Sequence, residues 1–335
     1  MEKTICLGIE STAHTFGVGI IDSKGSILSN PKSQYTVIGK AEGLRPFDVS
    51  MHHYNVALDI LKQALGQAKL KINDIDVIAF SQGPGLAPCL TVSATVARAL
   101  AEKYKKPIIG VNHCVSHIEL GKTILKCKDP LVIYTSGANT QIIAKDSGYY
   151  KILGETLDIG IGNLFDSFAR DLGYGFPGGP ILDKIYMDNK KRHYIDLPYS
   201  VKGMDLAFSG LLTATKKKIG KEKTEDLIYS FMHTAYAMLL EVTDRALSYT
   251  KKKEVLVIGG VAASRALKEM LEKLCSQSNA TLYIPPEIVC LDNGALIADL
   301  GLKHYIYSYG RKGGMRLCDT KINPKFRTDQ VKIDW

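Results

Sequence analysis

The chain has 335 residues, too many for one compact core and suited to two lobes. Hydrophobic residues make up 45% and charged residues 23%, an ordinary globular balance, and no apolar run reaches the length of a membrane span. Seven cysteines without a Cys-x-x-Cys pair exclude a disulfide framework and a zinc ribbon, and the net charge of +9 suits a polyanion partner, nucleic acid above all.

Met1-Glu2-Lys3-Thr4 lacks the pattern of a secretory leader, and a reduced, cytoplasmic compartment is expected. Residues 4–10 read as a first strand that closes on Glu10 and the small polar pair Ser11-Thr12. Residues 16–22 and 25–30 read as second and third strands around the turn Ser23-Lys24-Gly25. Three such strands, the first ending in an acid, are how ribonuclease-H-like lobes begin. Actin-like ATPases and sugar kinases use the turn between the first two strands to cradle phosphate on backbone N–H groups. A plain hairpin accounts for the stretch equally well.

Residues 48–68 form an expected helix with an apolar stripe at Val56, Leu58, Leu61 and Leu65. His52 and His53 lie inside it and cannot share a helix face, so one of them is expected to be structural. A strand at 76–80 leads into Ser81-Gln82-Gly83-Pro84-Gly85, either a loop for close ligand approach or a tight turn. A helix at 91–104, rich in Ala and Val, is followed by a buried strand at 107–111. Then come His113 and His117. On a helix that spacing puts both imidazoles on one face, about 5–6 Å apart at Cβ, a good place for a transition metal. One capping and one solvated histidine is the competing account.

The second half repeats the plan. A strand at 131–134 ends in Thr135-Ser136-Gly137-Ala138-Asn139-Thr140, and two more strands follow at 141–144 and 150–153. This duplication predicts two phosphate-type loops facing across a cleft. The run Asp158 to Asn163 leads into a helix carrying Asp166 and Arg170. The loop Tyr174 to Pro180 precedes a helix at 181–189, with Asp183 at its start as a cap or a functional carboxylate. Residues 190–205 read as a polar insertion. The clusters Lys190-Lys191-Arg192, Lys216-Lys217-Lys218 and Lys251-Lys252-Lys253 each read as solvated ends. A short helix opens at Phe208-Ser209-Gly210, and a long amphipathic one spans 225–249. The strand at 254–258 ends in Gly259-Gly260, a site suited to a nucleotide's phosphate or ribose. A last strand at 282–286 precedes Asp292, which stands at a helix start as a metal ligand or an N-cap. The expected fold is α/β of the actin-like ATPase (ASKHA) type, two ribonuclease-H-like lobes. The first covers residues 1–120 and is completed by 295–325; the second covers 121–294, with an insertion near 165–215.

Six motifs occur in order: His113-x-x-x-His117, Tyr134-Thr-Ser-Gly137-Ala-Asn-Thr, Pro177-Gly-Gly-Pro180, Phe208-Ser-Gly-Leu211, Gly259-Gly-Val-Ala-Ala263 and Asp292-Asn-Gly-Ala295. With them the chain resembles the universal tRNA threonylcarbamoyltransferase family over essentially its whole length. It looks most like the archaeal and eukaryotic branch, the catalytic subunit of the KEOPS complex. The resemblance implies transfer of threonylcarbamoyl from threonylcarbamoyl-adenylate to N6 of the adenosine 3′ of the anticodon, in tRNAs reading codons that begin with A; AMP leaves. It implies iron or zinc on His113, His117, Tyr134 and Asp292. Tyr134, Thr135, Ser136, Gly137 and Ala138 would line the donor. Asp166, Gly179 and Asp183 would hold the nucleotide's sugar, and Gly259-Gly260 its base; an ATP- or AMP-type nucleotide would share the site. The implied partners are tRNA, a small kinase and a small dimerising subunit, the last two received by helices near 48–68 or 91–104.

Two departures stand out. Ser264, expected from the resemblance as a nucleotide contact, occupies a position where the family commonly has Asn, with its paired donor and acceptor. Ala13-His14-Thr15 stands where bacterial members carry acids, so no catalytic carboxylate is carried over there. Some archaeal relatives continue into a kinase domain, whereas this chain stops at Trp335. The rival readings are an actin-like ATPase or sugar kinase, a metalloprotease and a non-enzymatic nucleic-acid-binding subunit. The protease is disfavoured because Cys114 stands where zincins place a general-base Glu.

Overall fold

The computed structural model describes residues 3–36, 45–286 and 290–335; Met1 and Glu2, at the head of the expected first strand, lie outside them. The chain divides into two compact units. The first comprises Met1–Ile124, Gly148–Tyr150 and Leu291–Trp335, and the second Leu125–Ser147 and Lys151–Cys290.

In the first unit, β1 (Ile5–Glu10) is the central strand. It pairs antiparallel with β2 (Thr15–Asp22) and parallel with β5 (Val77–Gly83). β3 (Ile27–Ser29) and β4 (Lys32–Gln34) both pair with β2, and β6 (Ile108–Asn112) lies parallel to β5. Alternation along β1 decides what each face meets. Ile5, Leu7 and Ile9 join a core with Ala57, Ile60, Leu61 and Ala64 of α1 (Pro46–Ala68) and Ala94 and Ala97 of α2 (Ala87–Tyr104). Cys6, Gly8 and Glu10 point to the opposite face.

On that face α9 (Gly294–Lys303) lies on the sheet at backbone contact. A Cβ on Gly8 would stand 2.2 Å from the Ala298 nitrogen, and one on Gly19 2.1 Å from the Ala295 nitrogen. Only glycine permits this approach. The C-terminal segment runs beside β5 and β6, with Met315 N donating to the Ile108 carbonyl (2.8 Å) and Asn323 N to the Gln82 carbonyl (2.7 Å). Ser81 to Gly83, read as loop in the sequence, continue β5, with Ser81 opposite Val111 and Gly83 opposite Asn112 of β6. Ser81 is fully buried, and the Gln82 amide donates to the carbonyls of Asp319 and Lys321. These partners lie more than two hundred residues away and leave no local signal.

The second unit repeats the connectivity. β7 (Leu131–Thr135) is central, antiparallel to β8 (Thr140–Asp146) and parallel to β12 (Glu254–Ile258); β9 (Tyr149–Glu155) and β13 (Thr281–Tyr283) flank them. The long helix α7 (Thr224–Thr250) packs Phe231 and Tyr236 against Phe165 of α4 (Ile161–Asp171). α5 (Gly178–Asp188) starts directly after Pro177, three residues before the sequence reading. Asp183 therefore sits in its second turn and does not cap it. The excursion ends in a short hairpin, β10 (Val201–Lys202) and β11 (Asp205–Leu206), followed by α6 (Ser209–Lys216). All seven cysteines are free. Among the described residues, no helix is long and apolar enough to cross a membrane.

Candidate active site

β6 ends at Asn112, and α3 (His113–Leu125) begins at the next residue. The Asn112 side chain accepts from Val115 N at 3.0 Å, a cap that places His113 in the first turn and His117 one turn on, both buried. The two Nε2 atoms stand 3.3 Å apart. Asp292 Oδ1 lies 3.3 Å from His117 Nε2 and 3.4 Å from His113 Nε2. Asp292 does not cap α9. The cap of α9 is Asn293, whose side chain accepts from Ala295 N and Leu296 N, so the carboxylate of Asp292 faces the histidines instead.

This triangle fits a metal ion. Ligand atoms about 2.0–2.1 Å from a tetrahedral ion lie about 3.3–3.4 Å from one another, and two imidazoles with one carboxylate are a familiar donor set for zinc or ferrous iron. Electrostatics agree. Burial by itself would strip the proton from His113, but the carboxylates of Glu10 and Asp292 outweigh it and hold its pKa well above the usual range. Burial pushes His117 down. Asp292, despite burial, is held well below the usual carboxylate range by His113. The carboxylates of Glu10 and Asp292 thus favour positive charge at His113.

Glu10 was not among the site residues expected from sequence. It is fully buried, and its Oε2 lies 3.0 Å from His113 Nδ1. The available signal was its place as the acid closing the first strand of a ribonuclease-H-like lobe. His53, the structural member of its pair, is also fully buried and sends Nε2 to the Ala13 carbonyl at 2.7 Å. Burial lowers its pKa to about 4.

The remaining expected residues belong to the second unit. Tyr134 is buried near the end of β7. Beyond it, Ser136 to Asn139 form a tight loop, with Ser136 N donating to the Asn139 carbonyl (2.8 Å). The loop is seated on the start of α4 through Gly162 N to the Ser136 carbonyl and Asn163 N to the Gly137 carbonyl. Gly259, at the end of the neighbouring strand β12, takes φ +90°, and a Cβ there would stand 2.3 Å from the Thr135 carbonyl oxygen. Thr135, Ser136, Gly137, Ala138, Gly259 and Gly260 thus follow the carboxyl ends of two adjacent parallel strands, where open α/β sheets bind ligands.

Asp166 Oδ1 accepts from Gly178 N (2.7 Å) and Gly179 N (3.2 Å), holding the start of α5; burial raises its pKa. Asp183 reaches another helix, α8 (Arg265–Gln277). Its Oδ1 accepts from Ser264 Oγ (2.6 Å) and Ala266 N (3.1 Å), and its Oδ2 from Arg265 N (3.2 Å). Ser264 caps α8 through Leu267 N and accepts from the Tyr236 hydroxyl at 2.9 Å. The shorter side chain at 264 is thus committed to a structural network.

Both sheets follow one plan: a central strand, two antiparallel neighbours on one side and two parallel strands on the other. This is the actin-like ATPase fold, and the chain carries within it a His-His-Asp cluster compatible with a metal site. HypF of Thermococcus kodakarensis superposes with a TM-score of 0.65 at 13% identity, over 92% of this chain and 48% of that one. Component A of the Acidaminococcus fermentans (R)-2-hydroxyglutaryl-CoA dehydratase gives 0.55 at 14% identity, over 90% and 98%. Within that fold the chain belongs to the tRNA N6-adenosine threonylcarbamoyltransferase family, whose model matches residues 26–299. The protein of that name from Thermococcus kodakarensis is 50% identical over 99% of both chains. A probable bifunctional tRNA threonylcarbamoyladenosine biosynthesis protein from Methanococcus vannielii is 48% identical over 99% of this chain, which spans 59% of it.

Proposed function

We propose that this chain transfers a threonylcarbamoyl group from threonylcarbamoyl-adenylate to N6 of the adenosine 3′ of the anticodon, in tRNAs reading codons that begin with A. The observation that carries the metal-dependent form of this reading is the triangle of His113, His117 and Asp292; Tyr134 is our proposed fourth ligand. An iron or zinc ion held there supplies Lewis-acid polarisation of the carbamoyl carbonyl and an anchor for phosphate.

The chain's own residues do the rest. Thr135 to Ala138 present a glycine-bearing loop to the donor, and Gly179, at the start of α5, offers its surroundings to the nucleotide's sugar. Asp166 keeps Oδ2 for a sugar hydroxyl while Oδ1 holds α5. Asp183 and Ser264 act by holding α8 beside the Gly259-Gly260 turn, which receives the base. In the transfer, the N6 nitrogen forms the new bond to the carbamoyl carbon. The bond from that carbon to the phosphate oxygen breaks, AMP takes the electron pair, and the amine gives up one proton. Adenine's exocyclic amine is a weak nucleophile, so positioning an activated donor contributes more than a strong base.

The +9 charge favours tRNA as the acceptor. A small kinase and a small dimerising subunit complete the assembly. We assign the dimerising subunit to the outer face of α1, where Phe47, Met51, Tyr54 and Leu58 stand exposed at helical spacing. The experiment supplies purified chain with these partners, threonylcarbamoyl-adenylate and such a tRNA, and reads the modified nucleoside by mass spectrometry. Product that depends on this chain is the expected result. Its absence where a T. kodakarensis relative succeeds would overturn the assignment.

A further inference from the structure

Glu10 ends β1 on the face of the sheet that meets α9, and it is completely buried. Its two oxygens have separate partners. Oε1 accepts from Thr12 N at 2.6 Å and from the Thr12 hydroxyl; Oε2 lies 3.0 Å from His113 Nδ1. The first pair of contacts ties the carboxylate to the turn after β1, and this aims the second oxygen at the imidazole. A carboxylate only accepts hydrogen bonds, so the nitrogen facing it carries a hydrogen. In a neutral imidazole the other nitrogen, Nε2, then keeps its lone pair, and it is Nε2 that faces His117 and Asp292.

We propose that Glu10 is the positioning residue of the metal centre, setting the tautomer in which His113 presents a bare Nε2 to the ion. The proposal rests on reading His113, His117 and Asp292 as a metal site. It makes an unusual demand of the near-isosteric variant Glu10→Gln. The Gln carbonyl satisfies Thr12, which leaves its NH2 group facing His113 Nδ1. Nδ1 must then accept, the ring hydrogen moves to Nε2, and the donor atom is blocked. Glu10→Ala removes the carboxylate but imposes no tautomer. A residue that only filled space would give the opposite order, with Ala worse than Gln.

The test measures Zn2+ affinity of the purified full chain by competition with a chromophoric chelator, with metal-free thermal unfolding as the folding control. One zinc equivalent in wild type, lost in His113→Ala, is expected. Glu10→Gln should bind at least 10-fold more weakly than wild type, within the 10–100-fold range of outer-shell partners, and no better than Glu10→Ala. Wild-type affinity in Glu10→Gln overturns the proposal and leaves the metal centre standing. So does a Glu10→Ala variant weaker than Glu10→Gln. Equal binding by wild type and His113→Ala removes the metal centre itself, and the Glu10 assignment with it. Should neither Glu10 variant fold, 15N NMR of histidine-labelled, zinc-loaded wild type decides: hydrogen on His113 Nδ1 supports the proposal, and a bare Nδ1 overturns it.

Discussion

Asp292 is carried by the residues just before α9, and α9 is placed by glycine. The informative perturbation is therefore Gly19→Ala, on the sheet face that carries α9. The added Cβ would stand 2.1 Å from the Ala295 nitrogen, where ordinary contact begins at 3.4 Å. Its neighbour is helix backbone, which cannot rotate away, so α9 must retreat by about 1.3 Å. Overpacking of this kind costs about 1–3 kcal/mol, and a rigid obstacle places Gly19→Ala near the top of that range. A metal centre tolerates about 0.2 Å in its ligand distances, so Asp292 should leave the histidines and zinc affinity should fall at least 10-fold. Gly17→Ala is the graded control. Its Cβ would lie 3.0 Å from the Gly294 nitrogen, and about 1 kcal/mol with little loss of zinc is expected. Urea unfolding reads the first quantity and chelator competition the second. A Gly19→Ala protein within 0.5 kcal/mol of wild type, with full zinc affinity, would refute the claim that close helix–sheet approach sets the site.

Other consequences follow from the same coordinates. Glu119 is buried on α3 between Lys303 (2.9 Å), Lys122 (3.1 Å), the Trp335 indole (2.8 Å) and the Tyr150 hydroxyl. Burial alone would raise its pKa, but these partners, Lys303 first, lower it from 4.5 to about 2. The ionised form then contributes about 3 kcal/mol at neutral pH, fully present above 4.5 and lost as pH falls towards 2. Glu119→Gln should lose about that much in urea unfolding at pH 7 and flatten the acid limb between those values; an unchanged limb would contradict the network. Asp183→Asn should destabilise by about 1–2 kcal/mol, since the amide NH2 that replaces Oδ2 cannot accept from Arg265 N; wild-type stability would show that α8 does not depend on it. Removing metal with a chelator should abolish transfer, with recovery on adding back zinc or iron, whereas activity that survives exhaustive chelation would exclude the Lewis-acid role.

Much of this protein was legible in its residues because the signals are local. Apolar runs rich in β-branched residues mark β1, β2, β7 and β12, and small-residue turns follow them. The i, i+4 histidines lie on one helix as their spacing requires, since helical geometry leaves no other arrangement. The six ordered motifs likewise carried the resemblance to the family, which charge and cysteine usage alone did not.

Tertiary structure decided what depends on partners distant in sequence. That Asp292 does not cap α9 turned on Asn293 taking the cap, and the strand at Ser81 to Gly83 turned on its pairing with Val111 and Asn112 of β6. Asp183, read as a cap of its own helix or a functional carboxylate, instead holds α8, because a carboxylate goes to whichever unpaired N–H groups packing brings within hydrogen-bonding reach. Glu10 is the clearest case. Its alternation along β1 was readable, but the imidazole it faces is 103 positions further on, and only the folded chain brings the two to hydrogen-bonding distance.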